Sequence, residues 1–192
     1  MTPVPALERA LLVLRSRPAA VVLVDGRSGS GKTTFAAVLA ARAGVELLRL
    51  EDLYPGWDGL TAASRALVDG VLEPRRRAAP GVVATWDWVG DRPGPLRQVQ
   101  PGRALVVEGC GALSRSATAL ADLGVWVELP DPERRTRALR RDGAGYAPHW
   151  ERWAAQERAF ASREDPRRSA DLVVDGRRFP RSVFSASAGD VH

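Results

Sequence analysis

Eight residues near the start of the chain constrain it more than any others. Gly26-Arg27-Ser28-Gly29-Ser30-Gly31-Lys32-Thr33 fits the pattern G-x-x-x-x-G-K-[ST], a loop whose backbone N–H groups turn inward around phosphate oxygens. Glycines let the backbone take the turn, and the helix that follows adds a partial positive charge at its first turn. Lys32 can reach the β- and γ-phosphates, and the Thr33 hydroxyl can ligate Mg²⁺. The context agrees with the motif. Val21-Val22-Leu23-Val24-Asp25 before it is apolar and β-branched, as a buried parallel strand is. Phe35-Ala36-Ala37-Val38-Leu39 after it favours a helix. Lys32 is the only lysine among 28 basic residues, and it stands where a compact ammonium on a flexible stem is needed. Gly26, Arg27, Ser28, Gly29, Ser30, Gly31, Lys32, Thr33 and Thr34 are therefore the expected nucleotide-phosphate ligands, with ATP and Mg²⁺ as the expected cofactors.

The rest of the chain alternates strands and helices. Leu7, Ala10, Leu11 and Leu14 recur at helical spacing, which predicts an amphipathic helix over about 3–17 that Pro18 ends. Further strands are expected at 45–50, 104–107, 125–129 and 171–174, and helices at 60–72, 112–122, 131–141 and 149–163. Residues 82–88 read as a short strand or extended segment, and the Gly/Pro-rich 90–101 as irregular. This pattern predicts an α/β protein, a parallel sheet covered on both faces. With 192 residues, one domain over about 1–180 is expected, followed by a poorly ordered tail over 181–192.

Composition adds exclusions. No apolar run approaches a membrane span, and no charged-then-apolar leader is apparent. The single cysteine, Cys110, cannot form an internal disulfide, and a cytoplasmic setting is expected. The net charge of +5 reflects an arginine-rich bias. Aromatic and basic residues barely interleave, so no nucleic-acid partner and no membrane partner are expected. The partners expected are a nucleoside triphosphate and a small-molecule acceptor.

Three more features fall where ligands bind in open α/β sheets, at the carboxyl ends of strands. Glu51-Asp52 and Tyr54 follow the second strand; a carboxylate there could accept a hydroxyl proton during phosphoryl transfer, or cap a helix. Glu108 ends the third buried strand and could hold Mg²⁺ or its water, or pair with an arginine. Arg134, Arg137 and Arg141 share one helix face by their i, i+3, i+7 spacing. They suit phosphate oxygens or form a solvated face. Gly143 and Gly145 would let residues of about 131–150 move as a lid. Trp57, Trp86 and Trp88 could stack on a flat ring or pack in the core.

With these motifs in order, the sequence resembles the uridine kinase-like branch of P-loop kinases, within the nucleoside kinase and phosphoribulokinase group. The resemblance rests on Gly26 to Thr34, Glu51-Asp52-Leu53-Tyr54, Trp57-Asp58, Trp86-Asp87-Trp88, Val106-Val107-Glu108-Gly109, Arg137 to Asp142 and Ala170-Asp171, over about residues 19–176. It implies a P-loop kinase fold with five parallel strands in the order 2-3-1-4-5, a substrate-binding insertion and an arginine lid. It implies ATP-dependent transfer to a hydroxyl, with a nucleoside as the leading acceptor. The alternatives are another hydroxylated metabolite or antibiotic, or an NTP-binding regulator or ATPase with no acceptor. The family's catalytic aspartate lies three residues before the tyrosine, which here is Glu51, with Asp52 as its neighbour. Lys32, Arg137 and Arg141 would complete the catalytic set. Tyr54, Asp58, Trp86 and Asp87 would bind the acceptor, Asp58 matching the acid that holds ribose hydroxyls. Trp86 replaces a base-contacting tyrosine, and the histidine usual after it is missing.

Overall fold

Val21–Asp25 form strand β1, and all five residues are buried. Alternating side chains send Val21 and Leu23 to one face and Val22 and Val24 to the other, and each face has its own apolar core. That double burial is why the strand reads as an unbroken apolar run. The computed structural model describes residues 1–178, so the tail expected from residue 181 lies outside the described residues.

The main sheet adds β2 (Glu46–Arg49), β5 (Leu105–Glu108), β6 (Leu123–Glu128) and β7 (Leu172–Asp175) to β1. Its order is β2-β5-β1-β6-β7, and every pairing is parallel. With the separate hairpin strands β3 (Gly81–Asp87) and β4 (Arg92–Val99) left out, this is the 2-3-1-4-5 order. Helices α1 (Pro3–Ser16) and α2 (Lys32–Ala43) cover one face. Ala6, Leu7, Ala10, Leu11 and Leu14 of α1 pack there against Phe35 and Leu39 of α2, as their helical spacing predicts. Helices α3 (Leu60–Leu67), α6 (Asp131–Tyr146) and α7 (Trp150–Glu164) supply the other core. A π turn at Val68–Leu72 joins α3 to the short α4 (Glu73–Arg76).

Two expectations change. Residues 90–101 are not irregular: β4 (Arg92–Val99) pairs antiparallel with β3 (Gly81–Asp87). A two-stranded ribbon has only outer edges, so Pro93 and Pro95 need not donate to a neighbour on that side. Residues 112–122 hold only one helical turn, α5 (Arg115–Thr118), where Ser114 Oγ accepts the Ala117 N–H. A last short helix, α8 (Pro166–Ser169), leads into β7. The hairpin is tied to the edge of β2 by Arg97, which donates to the Leu47 carbonyl and pairs with Glu46 at 2.9 Å. No described helix is long and apolar enough to cross a membrane.

Candidate functional site

The loop between β1 and α2 sits at the carboxyl edge of the sheet. Gly31 stands at the N-terminus of α2 in the left-handed conformation, and no side chain caps that end. The first N–H groups of α2 therefore stay available to an anion. Gly29 is required for a second reason: at φ +81, an added Cβ would lie 2.1 Å from the Arg134 carbonyl oxygen. Helix α6 thus packs directly against this loop.

Asp25 holds the loop's entrance. Its carboxylate accepts N–H groups from Gly26 at 2.6 Å, Gly111 at 3.1 Å and Leu113 at 2.9 Å. Burial pushes its carboxyl up to about 7, against those three donors and Lys32. An amide at this position would aim a donor at a backbone donor. Asp25→Asn is expected to lower stability by about 1–3 kcal/mol, read as a drop in Tm with the circular dichroism spectrum unchanged. An unchanged Tm would mean that these bonds do not hold the loop.

Lys32 is buried among acids. Burial works against its charge, but the carboxylates of Glu108, Glu157 and Asp25 outweigh this and raise its pKa. Thr33 Oγ1 donates to Glu108 Oε2 at 3.2 Å, so the hydroxyl and the carboxylate meet as the motif order suggests. Burial raises the Glu108 pKa, with Lys32 and Thr33 opposing. One hydroxyl and one carboxylate suit Mg²⁺, which keeps waters and takes phosphate oxygens rather than demanding an all-protein cage. Among the described residues no group of three or more His, Cys, Asp or Glu could form such a cage.

Sequence reasoning missed Glu157 and placed Arg134 only on a shared arginine face; together the two fasten this loop. Glu157, 4% exposed on α7, accepts the Ser28 N–H at 2.6 Å and pairs with Arg27 at 3.1 Å and Arg134 at 3.5 Å. Arg134, 2% exposed, also donates to the Ser28 carbonyl at 2.9 Å and pairs with Asp131 at 2.9 Å. A buried charge tolerates burial only when paired this fully. The Arg27 side chain is engaged with Glu157 and Asp131. Cys110 is a structural thiol: burial pushes it up to about 12, and Sγ donates to the Gly26 carbonyl at 3.3 Å.

Of the five arginines of α6, the three spaced i, i+3, i+7 share a face but not a target. Arg134 turns to the phosphate loop, Arg137 donates to the Gly176 carbonyl at 2.9 Å, and Arg141 pairs with Asp142 at 2.7 Å. Gly176 itself lies against the Ser30 carbonyl, so Arg137 stays beside the loop. Gly143 interrupts the helix with φ 59 and ψ −141, the kink the glycines suggested.

The residues expected to serve the acceptor lie in the turns after β2 and in the β3–β4 hairpin. Glu51 and Asp52 stand in a 3₁₀ turn, Leu50–Leu53, rather than in an extended strand end. Asp52 pairs with Arg97 at 3.5 Å, while Glu51 is exposed and lies within electrostatic reach of Glu108 and Arg141. Tyr54 is buried and donates to the Cys110 carbonyl at 2.9 Å. Asp58 is exposed and bound to Arg152, whose hydrogen bond lowers its pKa. Asp87 caps its own hairpin turn, accepting from Val89 and Gly90. Trp86 Nε1 is buried with no partner among the described residues. Trp57 stacks on His149 at 4.2 Å and on Tyr146 at 5.5 Å, and meets Trp88 edge-on at 5.0 Å. Trp57, Trp88, Tyr146 and His149 thus form one contiguous aromatic cluster.

No protein-family model matches the chain, and no curated protein matches it. Solved structures do. One from Bacillus stearothermophilus, described as a possible uridine kinase, superposes with a TM-score of 0.63 at 18% identity, covering 90% of this chain and 97% of that one. Another, from Silicibacter sp. TM1040 and described provisionally as a fructose transport system kinase, gives 0.58 at 20% identity, covering 90% and 98%. The chain has a uridine kinase-like P-loop kinase fold.

Proposed function

We propose that this protein transfers the γ-phosphate of ATP to a hydroxyl of a small molecule, with a nucleoside as the leading acceptor. The observation that carries the reading is the meeting of Lys32, Thr33 and Glu108 at one loop of phosphate-binding sequence, with Glu51 in the turn after β2 within electrostatic reach of Glu108. A regulator that only binds nucleotide has no use for an acceptor-side carboxylate. A sugar or other hydroxylated metabolite is the second reading. Trp86 and the missing histidine leave the base-recognition pattern incomplete, and one of the two structural neighbours is described as a kinase of a fructose transport system.

The geometry supports the following division of labour as part of this proposal. Backbone N–H groups from Gly26 to Thr34 cradle the phosphates, and Lys32 offers its charge to the β- and γ-oxygens. Thr33 and Glu108 would hold Mg²⁺, which neutralises charge on the phosphate oxygens when bound. Glu51 or Asp52 would accept the acceptor hydroxyl's proton. Trp57 and Trp86 would pack on the acceptor's flat face, with Tyr54, Asp58 and Asp87 framing it. Arg137 and Arg141 would meet charge that develops on the transferred group. The test is a screen of nucleosides, sugars and other alcohols for acceptor-stimulated ADP release. Stimulation by nucleosides supports the first reading, stimulation by sugars the second, and release indifferent to every acceptor overturns both.

The metal assignment makes its own prediction. Glu108→Gln keeps the shape but removes the charge, so the Mg²⁺ concentration for half-maximal turnover should rise about tenfold. Because burial raises the Glu108 pKa, the wild-type Mg²⁺ requirement should increase as pH falls, beginning above the usual carboxylate range. A Mg²⁺ titration at several pH values checks both, and a requirement unmoved by the substitution removes Glu108 from the metal site.

A further inference from the structure

A charged cleft lies at the opposite edge of the sheet from the phosphate loop. Val21 opens β1 there, Leu72 ends the π turn, and Ala119 to Asp122 lead into β6. With Arg75 and Arg76 of α4 they line a volume of about 370 Å³. The phosphate loop begins at the other end of β1, about 13 Å away at a strand's rise per residue. The cleft is therefore no part of the site described above.

Arg75 is a buried cation without an anion. Its side chain is held by carbonyls: Nη1 donates to Gln100, and Nη2 to Arg103 at 2.6 Å and Ala19 at 3.4 Å. The residue is 8% exposed, and its Nε–H is buried with no partner among the described residues. Carbonyls satisfy donors but bring no negative charge. No described carboxylate forms an ion pair with Arg75 or Arg76. Glu46 is the acid whose field reaches Arg75, and Glu46 is held by Arg97 at 2.9 Å. Asp122 is the acid that lines the cleft. It accepts the Val21 N–H at 2.8 Å and pairs with Arg17 at 2.6 Å. Burial pulls the Arg75 pKa below its ordinary value, yet an arginine stays charged. Buried charges are ordinarily paired with opposite ones. Here two successive arginines line one cleft, and its acid is already engaged elsewhere.

We propose that this cleft binds a small dianion at Arg75 and Arg76, a phosphate monoester or a dicarboxylate. Two cations left uncompensated by protein acids set the charge. The volume suits a small molecule rather than a polymer. Exposed Arg76 offers a free guanidinium fork for oxygens, and buried Arg75 adds its field from behind.

At 20.7 kDa the protein suits amide NMR, which reports where an anion binds. Wild type is titrated with inorganic phosphate and with succinate at constant ionic strength, with chloride as the control. The amides of Ala119, Leu120 and Ala121 should shift saturably with at least one dianion and not with chloride. Shifts from Gly26 to Thr33 report occupancy of the phosphate loop separately, so failure of the nucleotide reading leaves this test intact. Arg76→Ala should weaken binding at the cleft about fivefold, as loss of a partly exposed charge contact does, with the loop shifts unchanged. Arg75→Gln should abolish it. Arg75 also ties three carbonyls, so where that variant misfolds the exposed Arg76 carries the test. Saturation by phosphate alone assigns a monoester, and saturation by succinate alone a dicarboxylate. No saturable shift at the cleft with either, shifts that chloride reproduces, or equal affinity in a folded Arg76→Ala would overturn the proposal.

Discussion

Lys32→Ala should abolish productive ATP use while leaving a folded protein. The ammonium is the cation of the phosphate loop that can reach the β- and γ-oxygens, and removing charge stabilisation of that kind costs about 3 kcal/mol or more in the transition state. Turnover should therefore fall by at least about 10²-fold. The buried acids around Lys32 decide whether the fold survives. Glu157 keeps Arg27 and Arg134, Asp25 keeps three backbone donors, and Glu108 keeps the Thr33 hydroxyl. Each retains a partner without Lys32, and Asp25 and Glu108 can take up a proton more readily once its field is gone. Circular dichroism and gel filtration should match wild type, and acceptor-dependent ADP release should not. Normal release by the folded variant would remove Lys32 from the chemistry.

The same cluster explains how much of this molecule was legible in its sequence. The phosphate loop was legible because glycine, lysine and threonine at fixed spacing encode one local shape, even though distant residues fasten that shape in place. Strands β1, β5 and β6 were legible because double burial leaves an unbroken apolar run. Glu157 was not. It lies 129 positions from the Ser28 N–H it accepts, inside a helix whose polar residues look like a solvated face. Arg134 was read as one of three equivalent arginines, yet only the packing of α6 against Gly29 buries it and leaves Arg141 outside. The β3–β4 hairpin was hidden for a different reason. Pro93, Gly94 and Pro95 argue against a central strand, and sequence alone does not say that a ribbon has no central strand. Where a residue's role follows from its neighbours along the chain, the sequence carries it; where it follows from a partner a hundred residues away, it does not.

The acceptor-side base shows both situations in adjacent residues. If the strand pattern continued past β2, Glu51 and Asp52 would point to opposite sides by alternation. The chain instead enters a 3₁₀ turn at Leu50, whose three residues per turn separate neighbouring side chains by about 120°. Their fates still diverge, through the hairpin. Arg97 of β4 pairs with Asp52 and neutralises it on the β2 side. Glu51 lies within electrostatic reach of Glu108, the proposed metal ligand, and of Arg141 on α6. Trp88 donates its indole N–H to the Glu51 backbone carbonyl at 2.9 Å, which anchors the turn beneath that side chain. Glutamate's extra methylene gives it about 1.5 Å more reach than aspartate toward an acceptor hydroxyl. Glu51→Gln should accordingly lose acceptor-dependent turnover by about 10²-fold or more while binding ATP as wild type does. Asp52→Asn should stay within a few-fold, because its loss weakens only a half-exposed ion pair. Measuring ADP release with and without acceptor, beside nucleotide affinity, separates the two residues. A large loss in Asp52→Asn with Glu51→Gln active would exchange their roles. Full activity in both variants would mean that the acceptor proton leaves by another group, or that this chain phosphorylates no hydroxyl at this edge.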